Sequence, residues 1–238
     1  MMSKIFQSNK YNRWRIAVYC SVVLIAMIFM SSNACGASDA DIALLLKKVG
    51  RVLAQRADSD IWSQTKVGML FNSGDLVYAG KNSLAAIMFT DDKSLVKVRD
   101  NSSFLIKAKR ENDSIFKRIH VLLGQIWVKT TKLKSEFIIE TPSGVAAIKG
   151  TEFYCRVEAN GSTYFFVIDG VLSFENAFGS ILINEGETGY AAPGEAPAII
   201  ETDAADVPSW GTDDASSHEL EIEFQDSEGN NRRLKINY

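Results

Sequence analysis

Short apolar segments alternate with turn-forming residues along most of the chain, and this alternation limits the folds open to it. Gly, Asn or Asp bounds nearly every segment, and no helical stretch of convincing length lies between them. Alternating apolar and polar residues are typical of strands with one buried face. The pattern predicts an all-β fold of about a dozen short strands, arranged as a sandwich or a roll. No repeat period is strict enough to require a solenoid.

The predicted strands share this composition and lie between turn signals. They are Leu76–Ala79, Ser83–Phe89, Leu95–Arg99, Phe104–Lys109, Ile115–Leu123, Gln125–Thr130, Phe137–Thr141, Val145–Ile148, Glu152–Glu158, Thr163–Ile168, Val171–Glu175 and Ser180–Ile183. Asn160-Gly161 predicts a hairpin turn, and Asp169-Gly170 predicts another. The run Asp41–Leu53 fits a helix or a strand, and we favour a strand from about Lys48 to Ala57.

The segment Thr141–Phe153 carries the densest set of backbone signals. Pro142 fixes its own φ and favours extended geometry at Thr141, while Gly144 permits a tight turn. Gly150 then ends a short apolar run before the next strand. None of these residues is chemically reactive, so the segment is predicted to shape the backbone. We therefore expect a valine at Gly150 to unfold the domain or block its export.

The first residues have the layout of an export signal. Four basic residues precede an uncharged apolar run, and they are Lys4, Lys10, Arg13 and Arg15. The run, Ile16–Met30, is shorter than the ~20 residues of a typical spanning helix. We predict a signal peptide at residues 1–37, cleaved after Ala34 or Ala37. Retention as an anchor and lipidation of Cys35 are the alternatives, and only through them would the protein contact the membrane.

Charge excludes one class of partner. Removal of the signal would take four of the 26 Lys and Arg residues, leaving 22 against 29 acidic residues and a net charge of −7. No basic stripe suited to phosphate neutralisation is present, so a nucleic-acid partner is not expected.

The chemically reactive residue types are few and scattered. Cys155 is the only cysteine after the signal segment, and its alternation with Phe153 predicts a buried, inert thiol. His120 and His218 are isolated, which argues against a metal site or a catalytic triad. The Asp91-Asp92 pair is interpreted as a solvated turn. We expect no catalytic residue, cofactor or metal.

Two tryptophans are candidates for ligand stacking. Trp62 and Trp127 could stack on a sugar or a peptide, but core or edge positions are favoured.

The amino-acid composition of the chain changes after Pro193. Residues 194–217 are rich in Pro and Asp and predict a linker. Residues 218–238 predict a β-hairpin, with Glu alternating in its first strand and basic residues in its second. Because an isolated hairpin is marginal in water, it should dock on the main sheet or on another chain. The main domain is predicted to span residues 41–193.

Several motifs together resemble the FecR-type domain of bacterial envelope proteins. They include Phe89-Thr90-Asp91-Asp92, Leu123-Gly124-Gln125-Ile126 and, most strongly, the segment Thr141–Phe153. The residues of the family motif are Thr141, Pro142, Gly144, Gly150, Thr151, Phe153, Gly161 and Gly170.

The resemblance implies a non-enzymatic, all-β extracytoplasmic module that is periplasmic or secreted and binds an envelope protein or glycan. Family members that span the membrane relay signals to a sigma factor, and such an anchored regulator is the alternative. Only fifteen residues precede the apolar run, too few for a sigma-factor-binding domain. A hydrolase of envelope polymers is a third hypothesis, and it would require an essential carboxylate.

Overall fold

The computed structural model describes residues 41–130, 135–202 and 207, together with the backbone of residues 219–225 and 231–237. The predicted signal segment and most of the predicted linker lie outside these ranges. Every regular element described is a strand, which confirms the all-β prediction. None of the described segments is a helix that could cross a membrane.

The strands outnumber the predicted dozen, because seventeen belong to one hydrogen-bonded network. Their bounds are β1 Ala43–Val49, β2 Val52–Gln55, β3 Trp62–Gln64, β4 Leu70–Phe71, β5 Leu76–Ala79, β6 Leu84–Phe89, β7 Leu95–Val98, β8 Ser102–Glu111, β9 Ser114–Lys129, β10 Phe137–Thr141, β11 Gly144–Ile148, β12 Glu152–Val157, β13 Thr163–Asp169, β14 Val171–Asn176, β15 Gly179–Asn184, β16 Thr188–Ala191 and β17 Ala198–Ile200.

The pairings divide this network into two sheets that share β9. Sheet 1 has the order β4-β1-β6-β7-β9-β12-β13-β16-β17. Sheet 2 has the order β3-β2-β5-β8-β9-β10-β11-β14-β15. All of these pairings are antiparallel except β9 with β10, which is parallel.

Strand β9 passes from sheet 2 to sheet 1 at Gly124. Up to Leu123 it pairs with β8 in sheet 2, and from Gly124 onward it pairs with β12 in sheet 1. Gly124 has a φ of 99°, and a Cβ built on it would lie 2.1 Å from Ser102 Oγ. The same hydroxyl oxygen accepts a hydrogen bond from the Gln125 N–H at 2.8 Å. The two strands predicted on either side of Gly124 are therefore one continuous strand, bent where only glycine fits.

The two sheets enclose a common hydrophobic core, which makes the fold a sandwich. Phe89 of sheet 1 meets Phe137 of sheet 2 edge to face, with ring centroids 5.5 Å apart. Phe165 of sheet 1 meets Phe174 of sheet 2 at 4.9 Å. These rings are fully buried, and burial of each contributes about 1.5–3 kcal/mol. Both aromatic pairs bridge the two sheets across the core.

Two local predictions were wrong. The N-terminal run is a strand, as favoured, but β1 begins at Ala43 rather than near Lys48. Asp169-Gly170 is not a hairpin turn, because β13 lies in sheet 1 and β14 in sheet 2. The turn carries the chain between sheets instead. The Asn160-Gly161 hairpin is confirmed, since it joins the paired strands β12 and β13.

The C-terminal hairpin is also a strand pair, formed by β18 Glu219–Gln225 and β19 Asn231–Asn237. Glu221 stands opposite Lys235, and Glu223 stands opposite Arg233. The predicted register of opposite charges is therefore confirmed. The first part of the predicted linker contains β17, which extends sheet 1.

A buried charged cluster corrects the interpretation of Asp91 and Asp92 as a solvated turn. Lys117 Nζ lies 2.7 Å from Asp91 Oδ2 and 2.7 Å from Asp92 Oδ2. The three side chains are 0–2% exposed. Burial would raise the pKa of Asp92, but hydrogen bonds from Lys117 and the Ser94 N–H outweigh it, and the pKa lies below its usual 3.8. Lys117 shares the inward face of β9 with Ile115 and Ile119.

Replacement of Gly124 by alanine should destabilise the sandwich by about 2–5 kcal/mol, because a left-handed backbone and a steric clash act together. Gly186 is the matched control, since its φ is 80° but no atom lies within 4 Å of a built Cβ. Gly186→Ala should cost only about 1–2 kcal/mol. Chemical denaturation of both variants measures the difference. Equal losses would show that the crossing at Gly124 tolerates a side chain.

Candidate functional site

The turn before β11 lies in the segment Thr141–Phe153, which we call the signature segment, and side-chain hydrogen bonds fix it in place. Thr141 Oγ1 donates to the Gly144 carbonyl at 2.9 Å. Ser143 Oγ donates to the Gly161 carbonyl at 2.6 Å. Asn176 Nδ2 donates to the Ser143 carbonyl at 2.9 Å. The turn is therefore tied both to the β12–β13 hairpin and to the end of β14.

Two glycines allow these parts to approach closely. A Cβ built on Gly144 would lie 2.5 Å from the Glu175 carbonyl oxygen on β14. One built on Gly161, where φ is 87°, would lie 2.9 Å from Pro193 Cγ and 3.2 Å from Pro142 Cβ. Side chains at either glycine would push neighbouring backbone or proline rings apart.

A second contact joins Gly150 to Gly170. Both have positive φ, 65° and 88°, and a Cβ built on Gly170 would lie 2.8 Å from the Gly150 carbonyl oxygen. Thr151 is fully buried beside them, and its Oγ1 donates to the Val171 carbonyl at 3.0 Å. Its N–H donates to Thr130 Oγ1 at 2.8 Å. This network links the end of β9 to the starts of β12 and β14.

Phe153 completes the motif inside the core. It is fully buried, with its ring centroid 6.0 Å from that of Phe165. The motif residues thus lie at two places where backbone segments approach closely, and in the hydrophobic core. We interpret them as residues that shape the sandwich.

The motif borders a groove on the outer face of sheet 2. The groove has a volume of about 770 Å³, and we call it the outer groove. Its lining residues come from the segment before β10, from β11 and the bend after it, from β14 and the residue before it, and from β15. They are Ser135, Glu136, Ala147, Ile148, Lys149, Gly170, Val171, Ser173 and Leu182. The exposed aliphatic side chains are the notable feature, with Leu182 63% and Val171 44% exposed.

The register explains how these residues come together. Ile138 of β10 stands opposite Ala147, Ala147 opposite Ser173, and Ser173 opposite Leu182. One cross-strand row therefore runs along the outer face of four neighbouring strands. Lys149 and Glu136 are exposed and supply one charge of each sign to the groove. The arrangement suits a mainly apolar ligand that carries a polar or charged group.

The remaining candidate residues lie apart from the groove lining. Cys155 is 1% exposed, and burial raises the pKa of its thiol, which suits the predicted inert role. His120 stands opposite Glu140 across the β9–β10 pair, and His218 lies outside the described residues. In the described part of the chain, no group of three or more His, Cys, Asp or Glu residues is arranged to hold a metal.

The two tryptophans occupy an edge position and a buried position, as the sequence favours. Trp62 is on edge strand β3, 41% exposed and in edge contact with Tyr78 at 6.2 Å. Trp127 is 9% exposed, and its Nε1 donates to Glu152 Oε1 at 3.2 Å. Neither lines the outer groove.

Together, the sandwich and its backbone-shaping motif define a non-helical β module with an apolar groove on its surface. Residues 75–173 match the family model described as FecR protein. This part of the chain is therefore similar to the FecR family, as the motifs predicted, and every residue of the predicted family motif lies within the match.

The similarity to solved structures is weak. Two crystal structures of a candidate anti-sigma factor from Parabacteroides distasonis are similar to this chain. The first has a TM-score of 0.48 at 10% identity, covering 65% of this chain and 70% of the other. The second has a TM-score of 0.47 at 11% identity, with coverages of 61% and 66%. We infer no function from similarity at this level. No curated protein sequence matches significantly.

Replacement of Gly150 by valine should unfold the domain or prevent its export. A β-branched residue is strained at a φ of 65°, and a shift of this backbone would disturb the hydrogen bonds of the adjoining buried Thr151. Gly194→Val is the control, since Gly194 has a φ of 86° with open space around it. It should cost about 1–3 kcal/mol and leave a folded protein. Thermal melting and the exported yield measure both. A normally melting, normally exported Gly150→Val protein would contradict the structural role of the motif.

Proposed function

We propose that this protein is a non-enzymatic binding module of the bacterial cell envelope, which holds a segment of another envelope protein in the outer groove. The observation that carries the proposal is the exposed apolar lining formed by Ala147, Val171 and Leu182. Exposed apolar surface concentrated in one concave place favours a binding site over ordinary surface. The similarity to the FecR family and the predicted export signal support an extracytoplasmic role.

A protein segment suits the groove better than a glycan. Sugar rings commonly stack on aromatic faces and need several hydrogen-bonding groups, and the groove lining includes no aromatic residue. Aliphatic side chains of a peptide would instead bury apolar area against Leu182 and Val171. Each fully buried aliphatic side chain contributes about 1.5–3 kcal/mol before ordering costs are subtracted. A volume of about 770 Å³ accommodates a few such side chains.

The two charged residues in the groove lining would favour one orientation of a bound segment. Lys149 lies on the bend after β11 and Glu136 just before β10, and both are exposed. A partner segment with a carboxylate near Lys149 and a basic group near Glu136 would fit in one orientation. Such exposed pairs contribute little affinity, so they would select orientation more than strength.

Leu182→Glu should weaken partner binding at least tenfold, because it places a charge in the apolar part of the groove. A photo-crosslinking residue at position 182 should yield an adduct in cells, and Ile61 is the matched control. Ile61 is 75% exposed at the opposite edge of sheet 2 and should give no such adduct. Circular dichroism and thermal melting of Leu182→Glu should match the parent.

The adduct at position 182 identifies the class of partner. An adduct that a protease degrades and a glycan-degrading enzyme leaves intact would support the proposal. An adduct sensitive only to the glycan-degrading enzyme would overturn it in favour of the glycan alternative. Equal adducts at positions 182 and 61 would show that the groove is not a specific site.

The anchored regulator remains the second candidate, because an uncharged apolar run, Ile16–Met30, follows the basic N-terminal residues. The two candidates differ in the mature N-terminus. N-terminal sequencing that begins near Cys35 or Ser38 would favour the exported module. An intact N-terminus in the membrane fraction would favour the regulator.

A further inference from the structure

We propose that the side chains of Lys117 and Asp91 join in an intramolecular amide bond, with the Asp92 carboxyl as the acid–base catalyst of its formation. The bond would be a self-made covalent link between the turn that follows β6 and the first half of β9. None of these three residues lines the outer groove.

The first observation is that the Lys117 ammonium group contacts both carboxyl groups in a place shielded from water. Lys117 Nζ is 2.7 Å from one oxygen of each aspartate, and the Lys117 and Asp91 side chains are both 0% exposed. The Phe89 ring covers the ammonium group, with its centroid 5.5 Å from Nζ. Groups held in contact in this way react as if their concentration were about 10⁵ M or more, when their orientation is suitable. Exclusion of water also disfavours hydrolysis of an amide once formed.

The second observation is the charge of the cluster. Two carboxyl groups surround a single ammonium group, so full ionisation would leave one buried negative charge uncompensated. An environment without water disfavours such a charge. The cluster is therefore more stable when one of its two carboxyl groups is protonated. A protonated carboxyl beside an amine is the combination that condensation requires.

The hydrogen bonds distinguish the two aspartates. Both Asp92 oxygens have donors, since Oδ1 accepts from the Ser94 N–H at 2.9 Å and Oδ2 from Lys117. Asp91 Oδ2 accepts from the Ile115 N–H at 2.9 Å and from Lys117. Asp91 Oδ1 is buried with no hydrogen-bond partner among the described residues. Asp92 is thus suited to act as a carboxylate, and Asp91 Oδ1, which no described donor holds, is the oxygen that can leave.

These contacts assign a role to each atom. Asp92 Oδ2 takes a proton from Lys117 Nζ, and the neutral amine attacks Cγ of Asp91. The charge that develops on Asp91 Oδ2 is stabilised by the Ile115 N–H, in the manner of an oxyanion hole. Asp92 returns the proton to Oδ1, which leaves as water when the Cγ–Oδ1 bond breaks.

The reaction is balanced without a co-reactant. One Nζ–Cγ bond forms and one Cγ–Oδ1 bond breaks. After water leaves, Asp92 accepts the second proton from the nitrogen and ends as a neutral acid. The ammonium, the carboxylate and the protonated carboxyl thereby become an amide, one water and a protonated carboxyl. No electrons are gained or lost.

The bond would connect the two sheets of the sandwich. Asp91 follows β6 of sheet 1, while Lys117 lies in the part of β9 that pairs with β8 in sheet 2. The cysteine in the described residues, Cys155, is free and buried, so this part of the chain has no disulfide. An amide in this position would be a covalent link that reducing agents do not break.

Mass spectrometry of the purified full chain tests the proposal, after its N-terminus has been determined. The intact protein should weigh one water less than its sequence predicts. A tryptic digest should contain one branched peptide that joins the Asp91 segment to the Lys117 segment. A full sequence mass, with both peptides recovered separately, would overturn the proposal. So would a loss of water located within a single peptide, as in a cyclic imide.

Variants separate the roles of the three residues. Lys117→Arg keeps the positive charge but should show the full sequence mass. Asp92→Asn keeps the size of the side chain and should also show the full mass if Asp92 is the catalyst. Fragmentation that places the link on Asp92, or an Asp92→Asn protein that still loses water, would overturn the assignment. Because the parent protein alone decides whether the bond exists, poor folding of a variant does not affect that result.

Discussion

The sandwich depends on one strand that belongs to both of its sheets. Parallel neighbours in a sheet need a long connection between them, commonly of a dozen or more residues. Here β9 pairs in parallel with β10, and the second half of β9 supplies much of that connection by crossing into sheet 1. Every later strand is placed relative to β9, because β12 pairs with its second half and β10 with its first. The crossing in turn requires the close approach of Gly124 to Ser102.

The signature segment contributes a second set of close approaches, and these also frame the outer groove. Gly144 lies against β14, while Gly150 and Gly170 meet where the chain passes between sheets. The same contacts align β11, β14 and β15, whose outward residues Ala147, Ser173 and Leu182 stand in one row. Residues without reactive groups can therefore determine the lining of a groove, because they fix which exposed side chains become neighbours.

The sequence predicts most strands because alternation and turn residues are local signals. It fails where the outcome depends on distant partners. Asp169-Gly170 has the composition of a hairpin turn, yet its two strands belong to different sheets. Gly124 resembles a strand end, yet the strand continues through it. The outer groove was not predicted, because its residues come from strands whose adjacency is set by the topology.

The buried cluster of Lys117 with Asp91 and Asp92 was not predicted for a related reason, although the sequence contains one signal of it. A pair of aspartates in a turn has the same composition whether it faces water or the core. Lys117, however, alternates with Ile115 and Ile119, which places a charged residue on the inward face of a strand. Such a position predicts a buried partner of opposite charge.

The shared strand also limits how the chain length can vary. Side chains alternate between two faces along a strand, so one inserted residue exchanges the buried and exposed sets beyond the insertion. In most strands of this sandwich a neighbouring turn could absorb such a change. In β9 an insertion before Gly124 would have to be absorbed within the strand, because both halves are held by partners in different sheets. Length variation should therefore be confined to the turns, while the sixteen residues of β9 form a segment of fixed length.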